Sequence, residues 1–389
     1  MGYNVSMNRR NTVVVVRAYL TLVGTVIGAG IFGVPYVYSK IGLLLGVTLT
    51  VILGGFLTLL LLLYAELLLR ARRSMRLPGI ADKFLGRRAA GVATVSTVIG
   101  FWASLLAYLI IGGSFLDVLF GRFTGWPLIY WQLLFYLVSG IVVISGLWAV
   151  ARAEFWLTGI LLLVLVYFVG RLLPGVDFSY NFSADARQTV LGYGVILFAL
   201  AGTGAVPAVR ELLVRREKRL YQIIALGGLT TALMTGLFGL AVVGITGAGT
   251  TEQAIDGLVS FLGENILLLG VTLGLLAVVT SFFTNGLYLL DTFRLDFRRS
   301  RPLAAVLALA PPLFAFFLGA QRFIAVIGFA GAVLGAFDSI IICLAYRAAQ
   351  KQKQPVRWPL KVPGWLVWGL LTIFSLGVLA TIFQVLFWR

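Results

Sequence analysis

The feature that most constrains this chain is a series of long apolar runs without a single charge, among them Val47–Leu63, Gly159–Val169 and Leu229–Ile245. With their flanks, each reaches the roughly 20 residues needed to cross about 30 Å of hydrocarbon. A water-soluble core needs alternation or amphipathic stripes instead, and only 12% of these residues are charged against about 25% in soluble domains. The pattern predicts an all-α polytopic membrane protein of about eleven spans, near 12–38, 41–69, 89–119, 127–150, 153–173, 189–210, 219–246, 263–290, 302–320, 322–346 and 364–388. Lipid is thus an obligatory partner. Connections are short, the largest being roughly 70–88, 171–188 and 246–262, so the chain reads as one transmembrane domain.

A formal charge of +17 would suit nucleic acid if the basic residues shared one face. Their placement says otherwise. With the N-terminus cytoplasmic, all of the 31 basic residues fall in cytoplasmic segments except Lys40, Arg122, Arg171, Arg187, Arg322 and Arg389. The positive-inside rule then gives an integral plasma (inner) membrane protein with its C-terminus on the opposite side, and no nucleic-acid partner is expected. Arg9 and Arg10 precede an apolar run too long for a signal peptide, which predicts an uncleaved first helix. Histidine is absent and Cys343 is the single cysteine, so disulfides and the usual zinc or copper sites are excluded and no cofactor is expected. An embedded enzyme would lack a nucleophile with a base, and the chain is not read as one.

Two spans carry glycine clusters before a proline. The first contains Gly24-Thr-Val-Ile-Gly28-Ala-Gly30-Ile-Phe-Gly33-Val-Pro35, and the sixth contains Ala201-Gly-Thr-Gly204-Ala-Val-Pro207. In a helix interior Gly costs roughly 1 kcal/mol and Pro about 3, so each cluster marks an interruption at mid-membrane. Free N–H and C=O groups there call for a polar ligand. The alternative is close packing through Gly24 and Gly28, a GxxxG pair. Isolated glycines such as Gly42, Gly112, Gly328 and Gly331 are assigned to packing. An offset of five spans places the second cluster in opposite orientation, as two inverted repeats would: 12–173 and 189–346, with an extra helix at 364–388. Gly28-x-Gly30-x-x-Gly33 also matches the dinucleotide fingerprint, but it lies inside an apolar span and the next acidic residue is Glu66, which rules that chemistry out.

The first-span motif resembles that of amino-acid permeases of the APC superfamily, particularly the aromatic and hydroxy amino-acid branch. Leu77-Pro-Gly79 with Phe84-Leu-Gly86, Thr280 to Asp291, and Ile327-Gly-Phe-Ala-Gly331 resemble the same branch in the same order. The resemblance implies a LeuT-type 5+5 inverted repeat and cation-coupled symport, by Na+ or H+, of a neutral amino acid, aromatic or hydrophobic, by alternating access. An amino-acid-binding transceptor or a channel-like protein without coupled transport is the alternative. The substrate carboxylate would meet amides at Gly28, Ala29 and Gly30, and the ammonium would meet carbonyls at Thr25, Val26, Phe198, Ala199 and Ala201. Gly202, Thr203 and Gly204 would bound the side-chain pocket. Some relatives carry histidine where this chain has Gly202-Thr203-Gly204. In sodium-coupled members of the fold, residues matching Gly24, Ile27, Ala277, Thr280 and Ser281 hold Na+, the candidate coupling ion here; the same hydroxyls could instead back-bond within their helix.

Among carboxylates, Asp338 lies inside the tenth span and is the candidate for proton transfer or gating. Glu66 with Arg70 and Asp291 with Arg294 have the spacing of structural ion pairs. Asp117 and Glu211 lie towards span ends. Trp102 and Tyr108 of the third span are candidates to wall the pocket.

Overall fold

A computed structural model describes residues 2–177, 186–214, 216–252, 254, 264–352, 356 and 358–387. Arg215, Lys353, Arg357 and Arg389, with parts of the loops at 171–188 and 246–262, lie outside the described residues. The described backbone is helical throughout its long elements, including the Gly- and Thr-rich seventh span. In hydrocarbon every backbone group must bond within its own segment, which overrides weak helix propensity.

The elements run α1 (Gly2–Val26), α2 (Gly30–Ile41), α3 (Leu43–Ala71), α4 (Leu77–Leu85), α5 (Arg87–Thr124), α6 (Leu128–Ser145) and α7 (Leu147–Leu172). There follow α8 (Ala186–Ala199), α9 (Ala205–Leu212), α10 (Glu217–Thr246), α11 (Glu264–Asp291) and α12 (Arg301–Phe317). The last are α13 (Phe323–Phe329), α14 (Ala336–Lys351) and α15 (Gly364–Phe387). Eight of the described helices are long and apolar enough to span, and α1 with α2, bent by 46°, makes a ninth. The stretches Gln188–Ala199 and Arg301–Phe317 are shorter apolar helices, so eleven spans are compatible with the architecture. Some hairpins close on one residue: Gly42 (φ 91) between α2 and α3, and Gly146 (φ 97) between α6 and α7, a backbone conformation that favours glycine.

The helices form an inner and an outer layer. In α5 and in the α13–α14 span, 72% and 69% of the apolar window is buried, against 33% in α7 and α15. The inner layer encloses both interrupted spans, α1/α2 and α8/α9. A third interruption was not expected: Ala330–Gly335, between α13 and α14, is a π-helical turn. Gly331, assigned to packing from the sequence, does pack there, but it also faces the central cavity. A Cβ at Gly331 would overlap the Gly194 carbonyl oxygen and the Phe198 amide nitrogen. Gly28 and Gly30 are comparably confined, by Ser281 and by the backbone of Ala199.

The loop at 70–88 is also more ordered than its composition suggests, because it holds α4. That helix starts at Leu77, with Pro78 in its first turn and its free amides bonded from elsewhere: Arg76 N and Gly79 N donate to Asp296, and Leu77 N donates to the Tyr288 hydroxyl at 3.0 Å. Lys83 in turn donates to the Ala71 carbonyl at 2.9 Å, closing the C-terminus of α3.

Gly331→Ala is expected to cost about 1–3 kcal/mol by overpacking against backbone, seen as a lower melting temperature in detergent. Gly159→Ala, where a Cβ would meet nothing within 4 Å, serves as the control and should leave that temperature unchanged.

Candidate functional site

The first interruption can be accounted for bond by bond. Ile27 N completes the last turn of α1 on the Val23 carbonyl at 2.8 Å, and Gly28 N folds back to the Val26 carbonyl at 2.8 Å. The start of α2 tightens as Ile31 N and Phe32 N reach the carbonyls of Gly28 and Ala29 at 3.3 and 3.2 Å. Among the described residues, the amides of Ala29 and Gly30 have no backbone acceptor. The amides free to meet an anion are therefore those of Ala29 and Gly30, while the Gly28 amide, expected to join them, is already engaged.

The carbonyls on the other side of the gap are met by α11. Thr280 Oγ1 donates to the Gly24 carbonyl at 2.9 Å, and Ser281 Oγ lies 3.1 Å from the same oxygen and 2.8 Å from the Thr25 carbonyl. Thr280 also reaches back to the Leu276 and Ala277 carbonyls at 3.0 Å each. Both alternatives left open by the sequence thus have a structural counterpart: Thr280 back-bonds within α11, and the oxygens of Gly24, Ala277, Thr280 and Ser281 also converge. Buried Ile27 lies in the gap beside them.

The sixth span breaks in the same way. Leu200 N reaches the Ile196 carbonyl at 3.1 Å, Ala201 N reaches Phe198 at 3.2 Å, and Ala205 N reaches Gly202 at 3.1 Å. The amides of Gly202, Thr203 and Gly204 have no backbone acceptor among the described residues. Pro207 stands in the first turn of α9, where the absent N–H costs no helical bond.

The two breaks face a common cavity. Thr25, Val26, Gly28 and Gly30 line it from the first span, and Phe198, Ala201, Thr203 and Gly204 line it from the sixth. Three expected residues are not among those lining it: the side chains of Ala29 and Ala199 are buried in the core, and Gly202 packs towards Val26 and Leu61. The remaining wall comes from Gly100, Phe101, Ser104 and Tyr108 of α5, Asn285 of α11, and Ala330, Gly331, Gly335 and Asp338 of the tenth span. Tyr108 walls the cavity as expected; Trp102 does not. One residue along the helix from Phe101, it points outward, and its indole donates to the Leu307 carbonyl of α12 at 3.0 Å.

Asp338 is buried at the cavity, with the Thr97 hydroxyl 3.2 Å from both carboxylate oxygens. Asn285 Nδ2 donates to the Tyr108 hydroxyl at 2.8 Å. Phe101 stacks on Tyr288 at 4.5 Å between centroids, and the Arg76 guanidinium lies 5.8 Å from the opposite ring centre of that stack. Arg76, only 2% exposed, pairs with Glu211 at 3.0 Å and Asp291 at 2.8 Å, tying the entrance of α4 to the ends of α9 and α11.

Asp291 also pairs with Arg294 at 3.2 Å, and Glu66 pairs with Arg70 at 2.5 Å, as their spacing predicted. The Arg76 network was not visible in the sequence, because its partners lie more than 130 positions away. Among the described residues no cluster of His, Cys, Asp and Glu could hold a metal ion, and Cys343 is buried in the core.

With this geometry in place, comparison with known proteins is decisive. A profile of the tryptophan/tyrosine permease family matches residues 11–384. The chain belongs to that family. It is therefore an amino-acid permease of the membrane, not an enzyme. The tyrosine-specific transport system 1 of Haemophilus influenzae is 26% identical over 388 residues, covering 93% of this chain and 94% of that protein. Glutamine transporter 2 of Aliivibrio fischeri is 22% identical over 345 residues, covering 86% and 89%.

Among solved structures, MhsT in complex with L-phenylalanine superposes with a TM-score of 0.68 at 18% identity, covering 95% of this permease and 98% of MhsT. Mhp1, a nucleobase-cation-symport-1 family transporter in a closed conformation with bromovinylhydantoin bound, gives 0.63 at 16% identity, covering 85% and 77%. The LeuT-type fold expected from the sequence is the observed one.

Arg76→Ala would remove the cation that Glu211 and Asp291 share, leaving Asp291 only its pair with Arg294. It should destabilise the permease by about 3–5 kcal/mol, measured by thermal unfolding in detergent, and Arg76→Lys should restore part of the loss.

Proposed function

We propose that this permease is a secondary active transporter that moves a neutral amino acid with an aromatic side chain, together with a cation, by alternating access about the breaks in its first and sixth spans. The observation that carries the substrate class is the cavity wall. Phe101, Tyr108 and Phe198 present three rings around a chamber whose small walls are Gly100, Gly204 and Gly331, a shape that fits a flat ring between faces and edges. The backbone end of the substrate meets the free amides of Ala29 and Gly30 with its carboxylate, and the carbonyls of Thr25, Val26, Phe198 and Ala201 with its ammonium. Asp338 and Ser104 supply the polar end of the chamber, so a phenolic or indole donor has an acceptor there, and Asp338 is the gating group.

In this scheme 12–173 and 189–346 are the two inverted repeats and α15 is the added helix. The N-terminus is cytoplasmic, since the basic segments around Arg76, Arg210 and Arg294 meet at one end of the bundle. If the cation is Na+, the oxygens of Gly24, Ile27, Ala277, Thr280 and Ser281 are its ligands.

Uptake of each of the twenty radiolabelled amino acids into proteoliposomes, under separate Na+ and pH gradients, tests the proposal. Tyrosine, tryptophan and phenylalanine should accumulate, and no accumulation of any amino acid under either gradient would sink it. Phe101→Ala should raise KM for the accumulated substrate by roughly tenfold, the equivalent of about 1.4 kcal/mol. Trp102→Phe should leave KM unchanged. A Thr280→Ala/Ser281→Ala double variant that keeps full Na+ dependence would argue that these hydroxyls only clamp the break.

A further inference from the structure

One buried carboxylate has no part in the site described above. Glu154, seven residues into α7, is 0% exposed, and no basic group lies within ion-pair distance among the described residues. The Thr284 hydroxyl of α11 donates to its Oε1. Its Oε2 has no hydrogen-bond partner, and neither has the Thr21 hydroxyl of α1 nor the Thr158 hydroxyl of α7 itself. These atoms are neighbours: Thr21 approaches the carboxyl without closing a well-directed bond. Thr158 is one turn along from Glu154 and touches Gly24 so closely that a Cβ there would overlap its hydroxyl. Two orphaned hydroxyls, one on α1 and one on α7, thus stand beside a carboxyl that α11 holds from one side and whose own second oxygen is orphaned.

We infer that Glu154 is the site of the coupling proton, a carboxyl that is protonated when α1, α7 and α11 are packed together and released when they part. The protonated group closes the local deficit, since its O–H can donate to Thr158 or Thr21 while Oε1 still accepts from Thr284. An ionised carboxylate in the same place would keep one bond and no countercharge, a state that a membrane interior disfavours. The helices must then open to water before the proton leaves. The proton enters from one aqueous side and departs to the other, and the carboxyl alternates between neutral and −1.

The link to the substrate site is mechanical. Thr284 lies one turn beyond Thr280 on the stripe of α11 whose hydroxyls hold the Gly24 and Thr25 carbonyls.

None of the other charged groups on the surrounding helices forms an ion pair with this carboxyl among the described residues. On α1, Arg17 lies over the ring of Phe155, the residue after Glu154, at 5.5 Å with its buried Nε unpartnered, and Tyr19 bonds Thr230. On α11, Asp291 is paired with Arg76, and Tyr288 bonds Tyr64 and Leu77. Tyr136 of α6 bonds the Leu309 carbonyl. Lys218 and Arg219, at the start of α10, meet Trp358 and Gln222, and Arg152 on α7 is exposed.

This inference rests on the transport proposal, and its test separates the two. In proteoliposomes containing a pH-sensitive dye, addition of the transported amino acid to the wild-type permease should move protons with it. Glu154→Gln should abolish proton movement and accumulation under a pH gradient while retaining amino-acid exchange, which also shows that the variant is folded. Thr284→Val, which keeps the carboxyl, should shift the pH midpoint of uptake by about one unit.

Three results would overturn the assignment: wild-type accumulation driven by Na+ with no proton movement, Glu154→Gln that still accumulates under a pH gradient, or proton coupling lost in Asp338→Asn but kept in Glu154→Gln. A Thr284→Val midpoint equal to wild type would overturn it as well, even if Glu154→Gln fails to fold. A wild-type protein that neither binds nor exchanges any amino acid would instead refute the transport proposal itself.

Discussion

The organisation of this permease follows from one constraint: a helix interrupted inside an apolar slab must find partners for the backbone groups it exposes. Between Val26 and Gly30 the chain meets that demand unevenly. Carbonyls of Gly24 and Thr25 are taken by the hydroxyls of Thr280 and Ser281, whereas the amides of Ala29 and Gly30 have no backbone acceptor among the described residues. The asymmetry gives the site its polarity. On the proposed reading, a zwitterion would bring its anion to those amides, and the bonded carbonyls retain a second lone pair for its cation.

The same helix, α11, serves both the break and its surroundings. Thr280, Ser281, Thr284, Asn285, Tyr288 and Asp291 follow one another down one stripe: the first two bond α1, and the others bond α7, α5, α3 and the entrance to α4 in turn. Neutral hydrogen bonds contribute about 1 kcal/mol each in net terms, so no single one holds the bundle together. Their value lies in register, because a shift of α11 would disengage all of them at once.

Much of this was legible in the sequence, and the omissions have physical reasons. Uncharged runs and the two Gly-x-Gly clusters before proline foretold the spans and their breaks, since both are local facts about what hydrocarbon permits. Helical phase was not local: Phe101 and Tyr108 face the cavity while Trp102 points at α12, and Gly202 turns away between neighbours that do not. Glu154 stands near the start of its span beside Arg152, and nothing local to the sequence shows that its carboxyl is buried and bonded from α11. The π turn at Ala330–Gly335 had only spaced glycines as a signal, and glycine spacing alone does not distinguish packing from interruption.

The glycine contacts around the cavity also set where this permease has room to change. Gly30 abuts the backbone of Ala199, and Gly331 abuts that of Gly194 and Phe198, so α2, α8 and the π turn meet main chain to main chain with no space for a methyl group. A lineage adapting this cavity to a larger, smaller or more polar substrate could not sculpt those surfaces. Its latitude would lie on the opposite wall, at Phe101, Ser104, Tyr108 and Asn285, where side chains rather than peptide planes define the contour. The fold thereby divides the chamber into a half fixed by main-chain contacts and an editable half shaped by side chains.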